Sequence, residues 1–384
     1  MDRRRFLGVT GAAAASPLLP GMATAVAASP PMPLQTAVDF ASDGLGLGPA
    51  EYAALLGQVA AEDGFAPDNY SQGGTIRALE RRFARLLGKQ DAIYLPTGTL
   101  ANHLALRKLA GNDRRVLVQA ESHLYNDSGD CALTLSGLNL VPLAEGGSAL
   151  PLDDVERWLA RSASGRVETR VGVISIESPV RRRHHERVDF DQLAHVCSVA
   201  RERGIRLHLD GARMFNLPLH SGRTLHEHSA LFDTVYVSLW KHFNAASGAI
   251  LAGDADVIEG LYHQRRMFGG ALPNAWPATA VALRFVDSYL DDYARSWQVA
   301  DRLITLLQDD HRLSFETLPH GTSRFFMTAT GVAPDILRER LAAQGVALSH
   351  GHPDTGRFAM QVNPTLLRTS AEAIAAKFSA AAGG

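Results

Sequence analysis

Between Thr75 and Leu87 apolar residues recur at helical spacing: Ile76, Leu79, Phe83, Leu86 and Leu87 share one side, and Arg77, Glu80, Arg81 and Arg85 the other. That period predicts an amphipathic helix with one buried stripe. Ala50–Ala61 repeats it more weakly. From residue 92 the pattern shifts to short apolar or β-branched runs separated by helical stretches. The runs are Ala92–Leu95, Val116–Gln119, Leu138–Pro142, Val171–Ile176, Arg206–Leu209, Thr234–Leu239 and Ala249–Ala252. Strands and helices in alternation predict a largely parallel sheet covered on both faces. The last two runs are joined closely enough to form an antiparallel pair. Beyond Asp254 the chain turns helical, with Val281–Leu307 the longest run, and it ends in a mixed segment from Leu313 to about Ala382. The organisation expected is a leader at 1–28, a linker and helix at 29–60, a large α/β domain at 61–285 and a small α+β domain at 286–384.

Composition narrows the picture. A chain of 384 residues, 46% hydrophobic, can bury enough surface for two lobes. With 38 basic against 40 acidic residues it carries no electrostatic footprint for nucleic acid. Cys131 and Cys197 lack metal or redox spacing and read as isolated thiols, a single disulfide being the alternative. Arg3-Arg4-Arg5-Phe6-Leu7 is a twin-arginine pattern, although Asp2 stands where Ser or Thr is usual. An Ala/Gly-rich stretch and Ala25-Val26-Ala27-Ala28 follow, which suits cleavage near residue 28 and export to the periplasm. No later segment reaches about 18 uninterrupted apolar residues, so no membrane span is expected after cleavage. His226-Glu227-His228 and His350-Gly351-His352 are read as chance groupings, and no metal is assigned.

Ligands of parallel sheets bind beyond the carboxyl ends of the strands, and four positions there carry chemistry. Pro96-Thr97-Gly98-Thr99 opens a helix with small residues, offering free N–H groups and a favourable dipole to a phosphate. Asp210 ends a strand, where a carboxylate keeps a pyridine nitrogen protonated. Lys241 follows another strand, where desolvation lowers an amine's pKa and makes it a nucleophile. His123 follows a third, placed to stack on a ring and transfer protons. Arg213, three residues past Asp210, is placed to fork onto a substrate carboxylate. Each has an ordinary alternative: a generic turn, a helix cap, a strand-end lysine, or one polar histidine among fifteen. Their order (phosphate turn, stacking residue, carboxylate, then lysine about thirty residues on) is that of fold-type I pyridoxal-phosphate (PLP) enzymes.

His208-Leu209-Asp210-Gly211-Ala212-Arg213 resembles the signature of the low-specificity threonine aldolase / β-eliminating lyase family. Ser42-Asp43, Tyr70 with Thr75, Pro96–Asn102 and Arg265–Gly270 are similar as well, so the resemblance runs from about Ser42 to Met360. It implies a fold-type I, aspartate aminotransferase-like large domain with a mostly parallel seven-stranded sheet, plus a small α+β C-terminal domain. It implies a PLP-dependent carbon–carbon lyase splitting L-threonine or L-allo-threonine into glycine and acetaldehyde. The alternative is a β-eliminating lyase, or another PLP enzyme modifying an exported amino acid or peptide product. The resemblance assigns Lys241 to carry the cofactor, Asp210 to its ring nitrogen, Gly98 and Thr99 to its phosphate and His123 to its ring face. Arg213 then lies at the boundary of cofactor and substrate, with Ser42 and Arg357 on the substrate carboxylate. Tyr70 would reach the site from a neighbouring subunit of a homodimer or homotetramer.

The chain departs from that family in three places. Glu177-Ser178-Pro179-Val180 stands where relatives usually read Glu-Asn-Thr-His, so a histidine used in proton transfer is absent, and His184 or His185 is a candidate replacement. Arg181-Arg182-Arg183 follows where relatives are polar and Gly-rich, either a solvated loop or an attractor for acidic substrates. Ala271-Leu272-Pro273-Asn274 lacks the arginine that helps bind phosphate in relatives.

Overall fold

A computed structural model describes residues 37–62 and 64–383; the leader expected at 1–28 lies outside them. The strands are β1 (Val38–Asp39), β2 (Asp91–Leu95), β3 (Arg115–Gln119), β4 (Asn139–Leu143), β5 (Val171–Glu177), β6 (Arg206–Asp210), β7 (Thr234–Ser238), β8 (Ala249–Gly253), β9 (Leu313–Thr317), β10 (Arg324–Ala329), β11 (Val346–Ala347) and β12 (Arg357–Gln361). Seven form one sheet in the order β2-β8-β7-β6-β5-β3-β4. β8 alone opposes the rest, pairing antiparallel with both β7 and β2. The closely joined pair in the sequence is therefore an antiparallel pair inside an otherwise parallel sheet. Every residue of β5, β7 and β8 is buried, as helices on both faces require.

The helix Gly74–Leu87 packs Ile76, Leu79, Phe83 and Leu87 into the main core. Glu80, on its polar side by period, is buried all the same. Its carboxylate accepts the Tyr94 N–H at 2.9 Å, which satisfies a donor on the edge strand β2 that no neighbouring strand can reach. The long helical run is two helices, Trp276–Val286 and Tyr289–Leu307. They part where Asp287 turns outward to an ion pair with Arg82. The first half faces the main core and the end of the second faces the C-terminal one.

The C-terminal lobe carries the antiparallel sheet β12-β10-β9. Val38 and Phe40 belong to its core, and β1 pairs in parallel with β11. The segment expected as a linker thus starts inside the C-terminal lobe and crosses to the large one. Under the sheet's carboxyl end, Phe83 meets Phe243 edge-on at 5.3 Å and Phe215 at 5.8 Å, and those two meet each other at 4.9 Å. Phe215 and Phe243 each sit two residues beyond a polar residue of interest, Arg213 and Lys241. Truncation by Phe83→Ala is expected to cost about 3–5 kcal/mol, as for other fully buried aromatics. Urea unfolding measures it, and a loss below about 1 kcal/mol would show the cluster to be loosely packed.

Candidate active site

Strand ends spread apart where the strand order of a parallel sheet reverses. Here the reversal falls between β3 and β5, since β4 lies on one side of β3 and β5, β6 and β7 run away on the other. Pairing of these two strands stops at Val118 and Ser175. Beyond it the Gln119 side chain takes over, accepting from Glu177 N at 2.7 Å and donating to Glu177 O at 2.9 Å. The crevice is a cavity of about 180 Å³. His123 after β3, Glu177 and Arg181 at β5, Asp210 and Arg213 at β6, and Trp240 and Lys241 at β7 line it, with Pro96–Thr99 and Ser247 closing the other side.

Lys241 and Asp210 therefore open into one cavity. Lys241 is buried, with its ammonium 5.5 Å from the centre of the Trp240 ring and no hydrogen-bond or ion-pair partner among the described residues. Burial, and then the Arg213 guanidinium, bring its pKa down to about 8. Asp210 accepts from Asn102 Nδ2 at 2.6 Å and from Ala212 N at 3.1 Å. Because the Asn102 amide nitrogen faces Asp210, its carbonyl oxygen faces His208 Nε2 at 2.9 Å. That nitrogen must carry a proton, leaving His208 Nδ1 to accept from the Thr234 hydroxyl at 2.8 Å. Burial holds His208 neutral, its pKa at about 4. The relay Thr234–His208–Asn102 fixes the Asp210 carboxylate without adding charge.

Glu177 accepts from His123 N at 2.6 Å and from Arg181 N at 2.8 Å, so it organises two turns of the cavity wall. Burial, and then the Asp210 carboxylate, push its pKa up. His123 keeps Nδ1 near Ser128 Oγ at 3.4 Å, and burial lowers its pKa. At the helix Gly98–Ala110 the Thr97 hydroxyl caps Leu100 N at 3.2 Å. The N–H groups of Gly98 and Thr99 have no acceptor among the described residues. A Cβ on Gly98 would lie 1.9 Å from the Tyr236 hydroxyl oxygen, so only glycine fits that cradle.

These features suit pyridoxal phosphate: an unpartnered buried amine, a fixed carboxylate facing the same space, and a helix start with free donors. Not every residue expected in the site lies there. Arg213 does line the cavity, held there by Asp43, to which it donates from Nε at 3.0 Å and from a terminal nitrogen at 2.7 Å. Ser42 is exposed and lines an adjoining pocket with Asp43, Tyr52 and Trp240, because the turn after β1 aims Asp43 at Arg213. Tyr70 lies on the surface under Arg266, 44% exposed and outside the cavity of its own chain. Arg357 donates to Glu316 at 2.7 Å and stacks on Phe326. His185 is fully buried with Nδ1 at 2.8 Å from Ser323 Oγ, His184 stacks edge-on to Phe326, and neither lines the cavity. The basic run is largely paired: Arg181 and Arg182 with Asp127, Arg183 with Glu186. Asn102, His208 and Glu177 stood in the sequence motifs with no role of their own, since their partners lie 54 to 108 residues away.

A β-eliminating lyase family profile matches residues 39–329. The low-specificity L-threonine aldolase of Escherichia coli K12 is 31% identical over 284 residues, spanning 73% of this chain and 83% of that protein. Two solved structures superpose closely. One is a candidate aromatic amino acid β-eliminating lyase/threonine aldolase from Exiguobacterium, with TM-score 0.74 at 25% identity over 91% of this chain and 98% of that one. The other is a candidate L-allo-threonine aldolase from Listeria monocytogenes, with TM-score 0.73 at 26% identity over 91% and 97%.

Two outcomes follow from the geometry. Gly98→Ala is expected to lose pyridoxal phosphate on dialysis, seen as loss of cofactor absorbance, because its methyl group collides with Tyr236; full retention would show that the cradle can yield. The rate at which apoprotein takes up pyridoxal phosphate should rise with pH through about 8, where Lys241 loses its proton. A midpoint at the ordinary lysine value would mean the amine is not desolvated.

Proposed function

This chain belongs to the β-eliminating lyase family and is a pyridoxal-phosphate-dependent lyase of fold type I; from that premise we propose that it cleaves the Cα–Cβ bond of a β-hydroxy amino acid. Its substrates are L-threonine or L-allo-threonine, and its products are glycine and acetaldehyde. The observation that carries this reading is the single cavity shared by Lys241, Asp210 and His123.

Lys241 would hold the cofactor covalently, Asp210 its ring nitrogen, and the Gly98 and Thr99 N–H groups its phosphate. Bound there, pyridoxal phosphate supplies an electron sink for the pair left behind when a bond at Cα breaks. This chain's own residues handle the protons. Cleavage requires a base for the β-hydroxyl, and His123 offers its Nε2, since Nδ1 is turned to Ser128 and burial keeps the ring neutral. The Lys241 amine, with its lowered pKa, returns a proton to Cα to complete glycine. The Asn102–His208 relay keeps Asp210 fixed throughout.

One observation favours the second reading, β-elimination. Val180, fully buried, stands at the position where the family resemblance expects a histidine for the aldol step. The twin-arginine pattern at Arg3-Arg4-Arg5 supports a periplasmic site of action, and the family resemblance supports a homodimer or homotetramer.

Incubation with L-threonine is expected to release acetaldehyde and glycine in equal amounts. A 2-oxo acid with ammonia instead would replace this reading by the second. Lys241→Ala should be inactive, and His123→Ala should lower kcat by roughly 10²- to 10⁴-fold, the usual worth of a positioned base.

A further inference from the structure

A second cavity, of about 400 Å³, lies where the two lobes meet and shares no lining residue with the catalytic one. Small-molecule sites run from ~300 to ~1,000 Å³, so the space suits a ligand. Three elements wall it. Leu219 and His220 come from the short helix Leu217–Ser221, Trp297 and Asp301 from the helix Tyr289–Leu307, and Leu318 and Arg324 from the turn that joins β9 to β10. That turn is fastened to the large lobe, Thr322 donating to His185 O at 2.7 Å and Arg187 N to His320 O at 2.7 Å.

The polar groups of this cavity are oriented but not satisfied. The Tyr293 hydroxyl accepts from Trp297 Nε1 at 2.9 Å, so its own proton goes to His220 Nε2 at 3.0 Å. Burial keeps His220 neutral, its pKa at about 4. Its remaining proton therefore sits on Nδ1, a donor with no acceptor among the described residues. Arg324 is half-buried, with Nε donating to Gln361 Oε1 at 3.0 Å. Among the described residues no Asp or Glu oxygen comes within 4.0 Å of it, and its terminal nitrogens have no acceptor. Burial, and then the Arg213 charge, bring its pKa down to about 10, as for a cation without a counterion. Asp301 is likewise without an ion pair among the described residues. Burial alone shifts its pKa, upward, with no lowering by Arg324, so the two charges stand apart. The apolar part of the wall is the half-buried Trp297 ring with Leu318 and with Leu219, which is 46% exposed.

We propose that this cavity is a ligand site separate from the catalytic one, for a monocarboxylate that carries an aromatic ring, its carboxylate on Arg324 and its ring against Trp297. Two donors from the Arg324 terminal nitrogens match the two oxygens of a carboxylate. The indole gives an aromatic body a stacking or edge-on partner. Asp301 repels a second negative charge, which selects against dianions. Because both lobes supply walls, an occupant bridges them and stabilises the arrangement in which they meet. Gln361, which orients Arg324, also approaches Asp43 Oδ1 at 3.5 Å, a long contact. The site therefore stands one side chain from the ion pair that joins the lobes, placed to act on lobe contact and not on the chemistry.

The test titrates 3-phenylpropanoate, and its uncharged amide, into the cofactor-loaded protein. The acid should change tryptophan fluorescence saturably and raise the Tm. It should leave the cofactor absorbance unaltered and should not be displaced by glycine. The amide should bind at least 10-fold more weakly, a comparison within the wild type that needs no variant. Arg324→Gln should weaken the acid roughly 10- to 100-fold, the range for a lost charge-assisted pair, without affecting the amide. Asp301→Asn, at an exposed position, should tighten the acid roughly 2- to 5-fold by removing a like charge. Trp297→Phe should keep calorimetric binding and lose the fluorescence change. No saturable response, acid and amide binding alike, displacement by glycine, a shift of the cofactor absorbance, weaker binding in Asp301→Asn, or a fluorescence change that survives Trp297→Phe would each overturn the assignment. None of these results bears on which bond the lyase breaks.

Discussion

Charges of both signs crowd the carboxyl end of one sheet: Lys241, Arg213 and Arg181 against Asp210, Glu177 and Asp43. Such a cluster tolerates burial only if opposite charges are fixed against one another, since an unpaired buried charge costs several kcal/mol. The fork between Arg213 and Asp43 is the contact on which the others depend. Burial alone would push the Asp43 pKa up, yet the Arg213 guanidinium holds it down at about 2. The pair joins residues 170 positions apart. It also joins the two lobes, because Asp43 lies just beyond β1, which is a strand of the C-terminal lobe. With Arg213 anchored there, its positive charge remains beside Lys241 and helps hold that amine near neutrality. One ion pair thus joins the lobes beside the site and helps tune the Lys241 amine inside it.

The second requirement is that the groups supporting the site add no further charge. The sheet meets it by placing neutral polar side chains where carboxylates or cations would disturb the balance. His208, fully buried on β6, lies directly behind Asp210, and its neutral ring passes a hydrogen bond through Asn102. Gln119 performs the same service between β3 and β5, using an amide to replace ladder bonds that the reversal of strand order removes. The antiparallel strand β8 brings the chain back beside β2, and so the loop with Ser247 and Gly248 closes the phosphate side of the cavity. Tyr236 and Gly98 complete that side by mutual exclusion, one side chain filling what the other lacks.

What could be read in the sequence follows from the range of each interaction. The amphipathic helix Gly74–Leu87, the seven strands and the residues just past β6 and β7 are local: a period, a strand end and a motif suffice to find Asp210 and Lys241. Gly98 was legible as a helix start, though not the tyrosine that excludes a side chain there. Arg213 was read without its partner because that partner lies 170 residues away, and a carboxylate at Ser42-Asp43 carries no mark of what it faces. Arg357 drew attention through a resemblance that cannot register a glutamate two strands away in the small sheet. Glu80 misled by period, since its burial serves an edge-strand N–H rather than the helix.

The structure separates a cavity built by the large lobe from a neighbouring turn built against the C-terminal lobe. Asp210, Gly98 and the His208–Asn102 relay depend on the large lobe alone, and their partners are internal to its sheet and first helices, whereas Lys241 also feels the interlobe pair of Arg213 and Asp43. The turn from Val180 to His185 belongs to a different set of contacts. Val180 is buried, Val180 N donates to Glu186 O at 2.8 Å, and His185 N donates back to Val180 O at 3.0 Å, folding the turn into a tight loop. That loop is gripped by the C-terminal lobe, with Thr322 donating to His185 O at 2.7 Å and Arg187 N to His320 O at 2.7 Å. Its histidines are therefore turned into the lobe interface and away from the cavity. Position 180 is itself fully buried within this turn. His123, held by Glu177 from the large lobe, is the imidazole left facing the cavity.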